Sequence, residues 1–238
     1  MRKNISRKPK KTAAVPLFFV LSALLIFTPL TITAQGGSAM IELPDPETKG
    51  SMMLEEAIYK RHSVRSYSDK PLSLGELGQL LWAGKGINVD GVSGPTRTAP
   101  SAGGIYPQEL FVASGNVEGL DPGIYSYRSE DHTLEMISEG DRRRDLARAA
   151  LNQNFIADAP AVIVVAAVPE RSASKYGRRG SERYVYMDSA HSAQNILLQA
   201  TALNLAAVPV GAFDDDPVNR VIEPGGAVPL YIIPAGHP

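Results

Sequence analysis

Apolar positions along the chain follow two periods. Leu54, Ala57 and Ile58 stand at i, i+3, i+4 within residues 53–60, which predicts a helix. Ser73-Leu74-Gly75-Glu76 has the form of a capping box and opens a second helix through Trp82, with Gly84 and Gly86 as stops. Residues 109–113, 123–127 and 133–137 read as short strands, the last two joined as a hairpin. Asp141 is expected to cap a helix reaching about Asn152. Residues 161–168 (AVIVVAAV) are apolar without interruption, the pattern of a strand buried on both faces. A long helix is predicted over 184–203, a strand over 206–211, a short helix over 216–222 and a closing strand over 228–234. Residues 88–107 show neither period. They are dense in Gly, Pro, Ser and Thr and predict a long loop, of the kind that often carries function. The whole is a mixed α/β pattern with several strands and about five helices.

The first 34 residues follow other rules. Arg2, Lys3, Arg7, Lys8, Lys10 and Lys11 precede an apolar run, and no charged residue lies between Lys11 and Glu42. A basic start, an apolar stretch and small residues near Ala34 predict a signal peptide cleaved after Ala34, or alternatively an uncleaved membrane anchor. Both place the remainder outside the cytoplasm, in the periplasm or its equivalent. Residues 35–50, rich in Gly and Pro, read as a linker, and 51–238 as one domain. The leader also explains the formal net charge of −1. Of 24 basic residues six lie in it, leaving 18 against 25 acidic ones, a net of −7. An acidic body argues against nucleic acid as a partner. The absence of cysteine excludes disulfides, thiolate metal centres and a thiolate nucleophile.

Four segments could carry chemistry. Arg61, Ser63 and Arg65, with His62 among them, alternate after the first helix. In extended chain they would face one side, a donor set suited to phosphate; equally, they could complement a helix C-terminus. Pro100, Ser101, Ala102, Gly103 and Gly104 would let backbone groups approach a flat ligand, or form an ordinary surface loop. Lys175 and Tyr176 could move protons, or belong to a solvated basic loop. Gly211 and Ala212 precede Asp214, Asp215 and Asp216, an arrangement that fits a ligand-facing strand end or a helix N-cap better than a metal site. His191, without a ligand type four residues on, reads as a buried or interface histidine.

In this order, RHSVRSY (61–67), RTAPSAGGIYPQEL (97–110), GIYSY (123–127), KYGRRG (175–180), DSAHSAQNILLQATALNL (188–205), VGAFDDDPVN (210–219) and GHP (236–238) resemble the nitroreductase superfamily. They look most like its SagB-type branch of FMN-dependent dehydrogenases, which oxidise azolines to azoles. Gly104, where typical nitroreductases carry Asn, favours that branch. The resemblance implies an α+β fold with a central mixed sheet flanked by helices, built as an intertwined homodimer with FMN at the subunit interface. It implies that Arg61, His62, Ser63 and Arg65 hold the phosphate and ribityl end. Pro100, Ser101, Ala102, Gly103 and Gly104 would line the flavin ring of the partner's site. Gly211 and Ala212 would face its other side, and Lys175 and Tyr176 would be the catalytic pair. The substrate would be a small molecule or peptide. A nicotinamide-dependent nitro- or quinone reductase and a non-catalytic flavin-binding protein are the alternatives.

Overall fold

The computed structural model describes residues 40–91 and 94–238. The predicted leader lies outside the described residues. A seven-stranded sheet organises the rest. Its strands are β1 (Met40–Glu42), β4 (Gln108–Ser114), β5 (Gly123–Arg128), β6 (Thr133–Glu139), β7 (Ala161–Ala167), β8 (Ala206–Ala207) and β9 (Val228–Gly236). They stand in the order β1-β6-β5-β4-β7-β9-β8. Every ladder in this sheet is antiparallel, where a mixed sheet was expected. A parallel pairing occurs as an isolated bridge, Leu72 with Val117, outside the named strands.

The centre of the sheet follows from the unbroken apolar run. β7 is buried at all seven positions and pairs with β4 on one side and β9 on the other. Its side chains alternate between two cores, as the two-residue period of a strand requires. Ala161, Ile163 and Val165 join Leu110 and Val112 of β4 on one face. Val162, Val164 and Ala166 join Phe111 and Ala113 on the other. The first core is closed by α2 (Leu74–Lys85) and α6 (Val185–Ala202), through Leu77, Leu80, Leu81, Ile196, Leu197 and Ala200. The second is closed by α3 (Arg143–Ala149), α4 (Phe155–Asp158) and α7 (Asp215–Ile222).

Helix α2 begins at the predicted capping box. Glu76 N–H donates to Ser73 Oγ, and the Ser73 N–H to Glu76 Oε2 at 2.8 Å. It does not stop at Gly84. That glycine lies inside the helix because a Cβ there would stand 2.8 Å from Ile196 of α6, and Gly86 is the cap.

Several stretches differ from expectation: the strand expected over 206–211 is only the two residues of β8, and the helix expected from Asp141 to about Asn152 is α3, with Arg142 at its N-cap. Residues 40–47, read as linker, are part of the domain: β1 pairs with β6, Leu43 is buried, and Glu47 and Gln79 exchange two hydrogen bonds. Side-chain and ladder contacts outweigh the Gly and Pro composition there. The long loop contains an antiparallel hairpin, β2 (Ile87–Gly91) with β3 (Gly94–Arg97). The basic loop around Lys175 is mostly helical, as α5 (Pro169–Tyr176) followed by a π-helical turn (Gly180–Tyr184) that runs into α6. A short α1 (Leu54–Lys60) precedes the Arg61–Arg65 segment.

Candidate functional site

One half of the candidate site is assembled on the N-terminal end of α6. Asp188 is 3% exposed and projects from the first turn of that helix. It accepts from Ser101 Oγ at 2.6 Å and from the Ala102 N–H at 3.1 Å. Ser101 Oγ in turn accepts from the Tyr106 N–H at 2.9 Å. Further along the same helix face, His191 meets the Pro100 carbonyl and Asn195 donates to the Thr98 carbonyl. The loop 98–106 is thus tied down by side chains three to four residues apart on α6. Its 3₁₀ turn, Ala102–Gly104, leaves Gly103 and Gly104 exposed at φ +64° and +67°. Ser101 is therefore an anchor of the loop and not a free hydroxyl. His191 is exposed, in place of the buried position that was one of its two expectations.

Lys175 and Tyr176 close over this loop from the end of α5. Lys175 Nζ donates to the Gly103 carbonyl at 3.3 Å. A Cβ on Gly103 would stand 2.3 Å from the Tyr176 hydroxyl and 2.7 Å from Lys175 Nζ. Tyr176 packs edge-on against Tyr184, and Arg179 donates to the Tyr184 hydroxyl. Helix α5 is itself clamped to β4: Arg171 pairs with Glu109, and the Val168 N–H donates to the Pro107 carbonyl.

The other half lies at the far end of α6. The Val64 N–H donates to the Ala207 carbonyl of β8, and His62 and Val64 stand beside Thr201 and Ala206. Asp188 and Thr201 are about 20 Å apart along the helix axis. Ser63 and Arg65 are exposed, Arg61 is half-buried, and no ion pair to a carboxylate is formed by either arginine among the described residues. The His62 ring turns back to the Lys60 carbonyl. Arg65 lies over the Phe155 ring at 5.7 Å, and the neighbouring Gln153 donates to the Ala212 carbonyl at 2.9 Å. The 153–155 turn thus joins the Arg61–Arg65 segment to Gly211 and Ala212. Both are exposed, and their N–H groups have no protein acceptor among the described residues. The predicted residues therefore form two clusters. Asp188 and Gln153, which organise them, were missed. The signal for Asp188 was its i, i+3, i+7 spacing with His191 and Asn195 along one face of α6; Gln153 left none.

The sequence model of the Nitroreductase family matches residues 58–237, which contain both clusters. The chain belongs to the nitroreductase family. It is 41% identical over 202 residues to a protein of Methanocaldococcus jannaschii named as a nitroreductase, covering 85% of this chain and 98% of that one. It is 25% identical to the trifolitoxin operon protein TfxC of Rhizobium leguminosarum, covering 85% of this chain and 60% of the relative. A crystal structure from Anabaena variabilis, also named as a nitroreductase, superposes with a TM-score of 0.72 at 29% identity, over 84% of this chain and 42% of that one. The family is one of oxidoreductases, and this chain has its fold.

The donor set fits FMN, the cofactor that the family resemblance implies. Arg61, Ser63 and Arg65 offer guanidinium and hydroxyl donors without competing carboxylates, as a phosphate requires. Gly211 is open to a planar ring because nothing lies within 4 Å of where its Cβ would be.

Proposed function

We propose that this chain is an FMN-dependent oxidoreductase of the SagB type, exported and acting as a homodimer on a small-molecule or peptide substrate. The observation that carries the reading is the separation of the two clusters by the length of α6. The Arg61–Arg65 segment, read as a phosphate cradle, stands at one end, and the glycine loop under Lys175 and Tyr176 at the other. Two copies in opposed orientation bring the cradle of one against the loop of its partner. Apolar side chains that such a pairing could cover are exposed near both ends of α6: Ile58 and Tyr59 on α1, Tyr59 to 89%, and Tyr186 and Met187 at the start of α6.

Bound FMN supplies hydride transfer to or from carbon, which no side chain of this cysteine-free chain performs. The chain's own residues do the rest. Arg61, Ser63 and Arg65 bind the phosphate and ribityl end. The exposed N–H groups of Gly211 and Ala212 would donate to the flavin and stabilise the negative charge it would gain on reduction. Gly103 and Gly104 keep the opposite surface thin enough for a substrate to lie flat. Lys175 and Tyr176 hold or accept a proton at the substrate atom next to the one that exchanges hydride. Gly104 and the relative from a toxin operon support the SagB-type branch over the nitro-reducing one. The test is purification of the full chain and its visible spectrum. Flavin bands, lost in an Arg61→Ala/Arg65→Ala variant, are expected. A colourless protein that takes up no FMN would overturn the reading.

A nicotinamide-dependent nitroreductase is the second reading, favoured by the name of the 41%-identical relative. Anaerobic addition of NADPH separates the two: rapid bleaching of bound flavin supports the reductase, and no bleaching supports the dehydrogenase.

A further inference from the structure

A cavity of about 710 Å³ opens beside the end of the loop 98–106. Its size lies within the range of small-molecule sites. Ile105 and Tyr106 form one wall, two residues from Gly103. Phe111 and Ile137 form an apolar floor. In its lining Glu109 Oε2 meets Lys85 Nζ at 2.5 Å, and Glu109 Oε1 meets Arg171. The Lys85 side chain is only 11% exposed and that of Glu109 21%.

The charges of this cluster do not balance. Two cations share one carboxylate, leaving one positive unit that faces the cavity: Lys85 and Glu109 are shielded from water, and the Arg171 side chain is 45% exposed. Among the other charged groups around the cavity, Glu130 also acts on Lys85, but none forms a further ion pair with Lys85 or Arg171 among the described residues. Arg97 is occupied by Glu130, and Arg128 by Glu135. Glu223 stands exposed at the rim, where solvent screens it. Burial draws the Lys85 ammonium below its usual range; Glu109 and, behind it, Glu130 oppose that fall only in part, and the Arg171 charge adds to it. A buried, under-compensated cation is costly, and an anion that completes the pairing recovers that cost.

We infer that this cavity is a binding pocket for a small carboxylate with an apolar or aromatic body, its acid group seated on Lys85 and Arg171. The position of the pocket says what the ligand is for. Arg171 and Lys175 are one turn apart on the same face of α5, and Lys175 reaches the Gly103 carbonyl. A ligand anchored at Arg171 extends along that face toward the Lys-Tyr pair. Calling the ligand a substrate rests on the function proposed above; its binding does not.

The full chain is titrated calorimetrically with benzoate and with benzamide, its uncharged isostere. Benzoate is expected to bind at least about tenfold more tightly. Lys85→Met leaves Glu109 neutralised by Arg171 alone and should erase that preference. Glu109→Gln leaves both cations unpaired and should widen it. A merely structural role for the cluster would make both substitutions act in one direction. Equal affinities for acid and amide, no binding of either, or an undiminished preference in Lys85→Met would overturn the inference. Flavin absorbance in the same samples reads the cofactor independently. Flavin bands without a benzoate preference sink the pocket alone. A benzoate preference in a colourless protein sinks the flavin assignment alone.

Discussion

Gly103 is where the loop meets Lys175 and Tyr176, and two physical demands fall on it together. Its φ of +64° disfavours any residue with a Cβ, and that Cβ would run into Tyr176 and Lys175. Gly104 shares the φ, at +67°, but its Cβ would meet nothing closer than 3.9 Å. Gly104→Ala should therefore cost only the backbone strain, about 1–2 kcal/mol in thermal or urea unfolding. Gly103→Ala should cost that and also lose most turnover, because the pair must move away. Equal turnover in the two variants would separate the pair from catalysis. The identity of these glycines was legible in the sequence, as was the Lys-Tyr pair. Their meeting was not. It depends on Asp188, whose buried carboxylate fixes the loop from 86 residues away, a distance across which no local pattern speaks.

At the scale of elements, helices and strands with an apolar period could be read from the chain, and those held by polar contacts could not. Helix α6 and strand β7 declare themselves through their apolar positions. Helix α5 buries only Ser172 and owes its placement to the Arg171–Glu109 pair, so its sequence looks like a solvated loop. Gly84 misled in the other direction. Helix propensity favours Ala there by about 1 kcal/mol, yet its Cβ would stand 2.8 Å from Ile196 Cδ1 and 3.1 Å from Leu110. Gly84→Ala should thus destabilise by about 1–2 kcal/mol through overpacking, and Ile196→Val should restore part of the loss in the double variant. Denaturant unfolding of the three variants checks this. The strap of residues 43–47 is held by another polar contact. His132 Nε2 donates to the Pro44 carbonyl at 3.0 Å, so Nδ1 accepts from the Tyr127 hydroxyl. Burial keeps this imidazole below its ordinary pKa. As pH falls, the unfolded chain therefore takes up the proton first, and stability declines as pH drops through about 6.5. The decline levels off below the lowered folded value. His132→Gln should remove that part of the slope in melting temperature between about pH 7 and 5.

For the whole molecule, the exposed apolar residues of α1, and separately those at the start of α6, are the surfaces that the proposed homodimer covers. Ile58→Asp and Tyr59→Asp change side chains that are already exposed, so the fold of each chain should persist. Sedimentation should nonetheless show monomers, and these should have lost their flavin bands. A dimer that survives both substitutions would need another interface. The placement of the two clusters at opposite ends of α6 also makes defects in the proposed dimer complementary. One population carries Arg61→Ala/Arg65→Ala, the other Gly103→Ala, and each is inactive alone. In a mixed pair both lesions fall on the same site, and the other site inherits only intact halves. Random reassembly of equal amounts makes half the pairs mixed, each with one of two sites whole, so about a quarter of wild-type turnover should return. The protein would then behave genetically as two cistrons written in one reading frame.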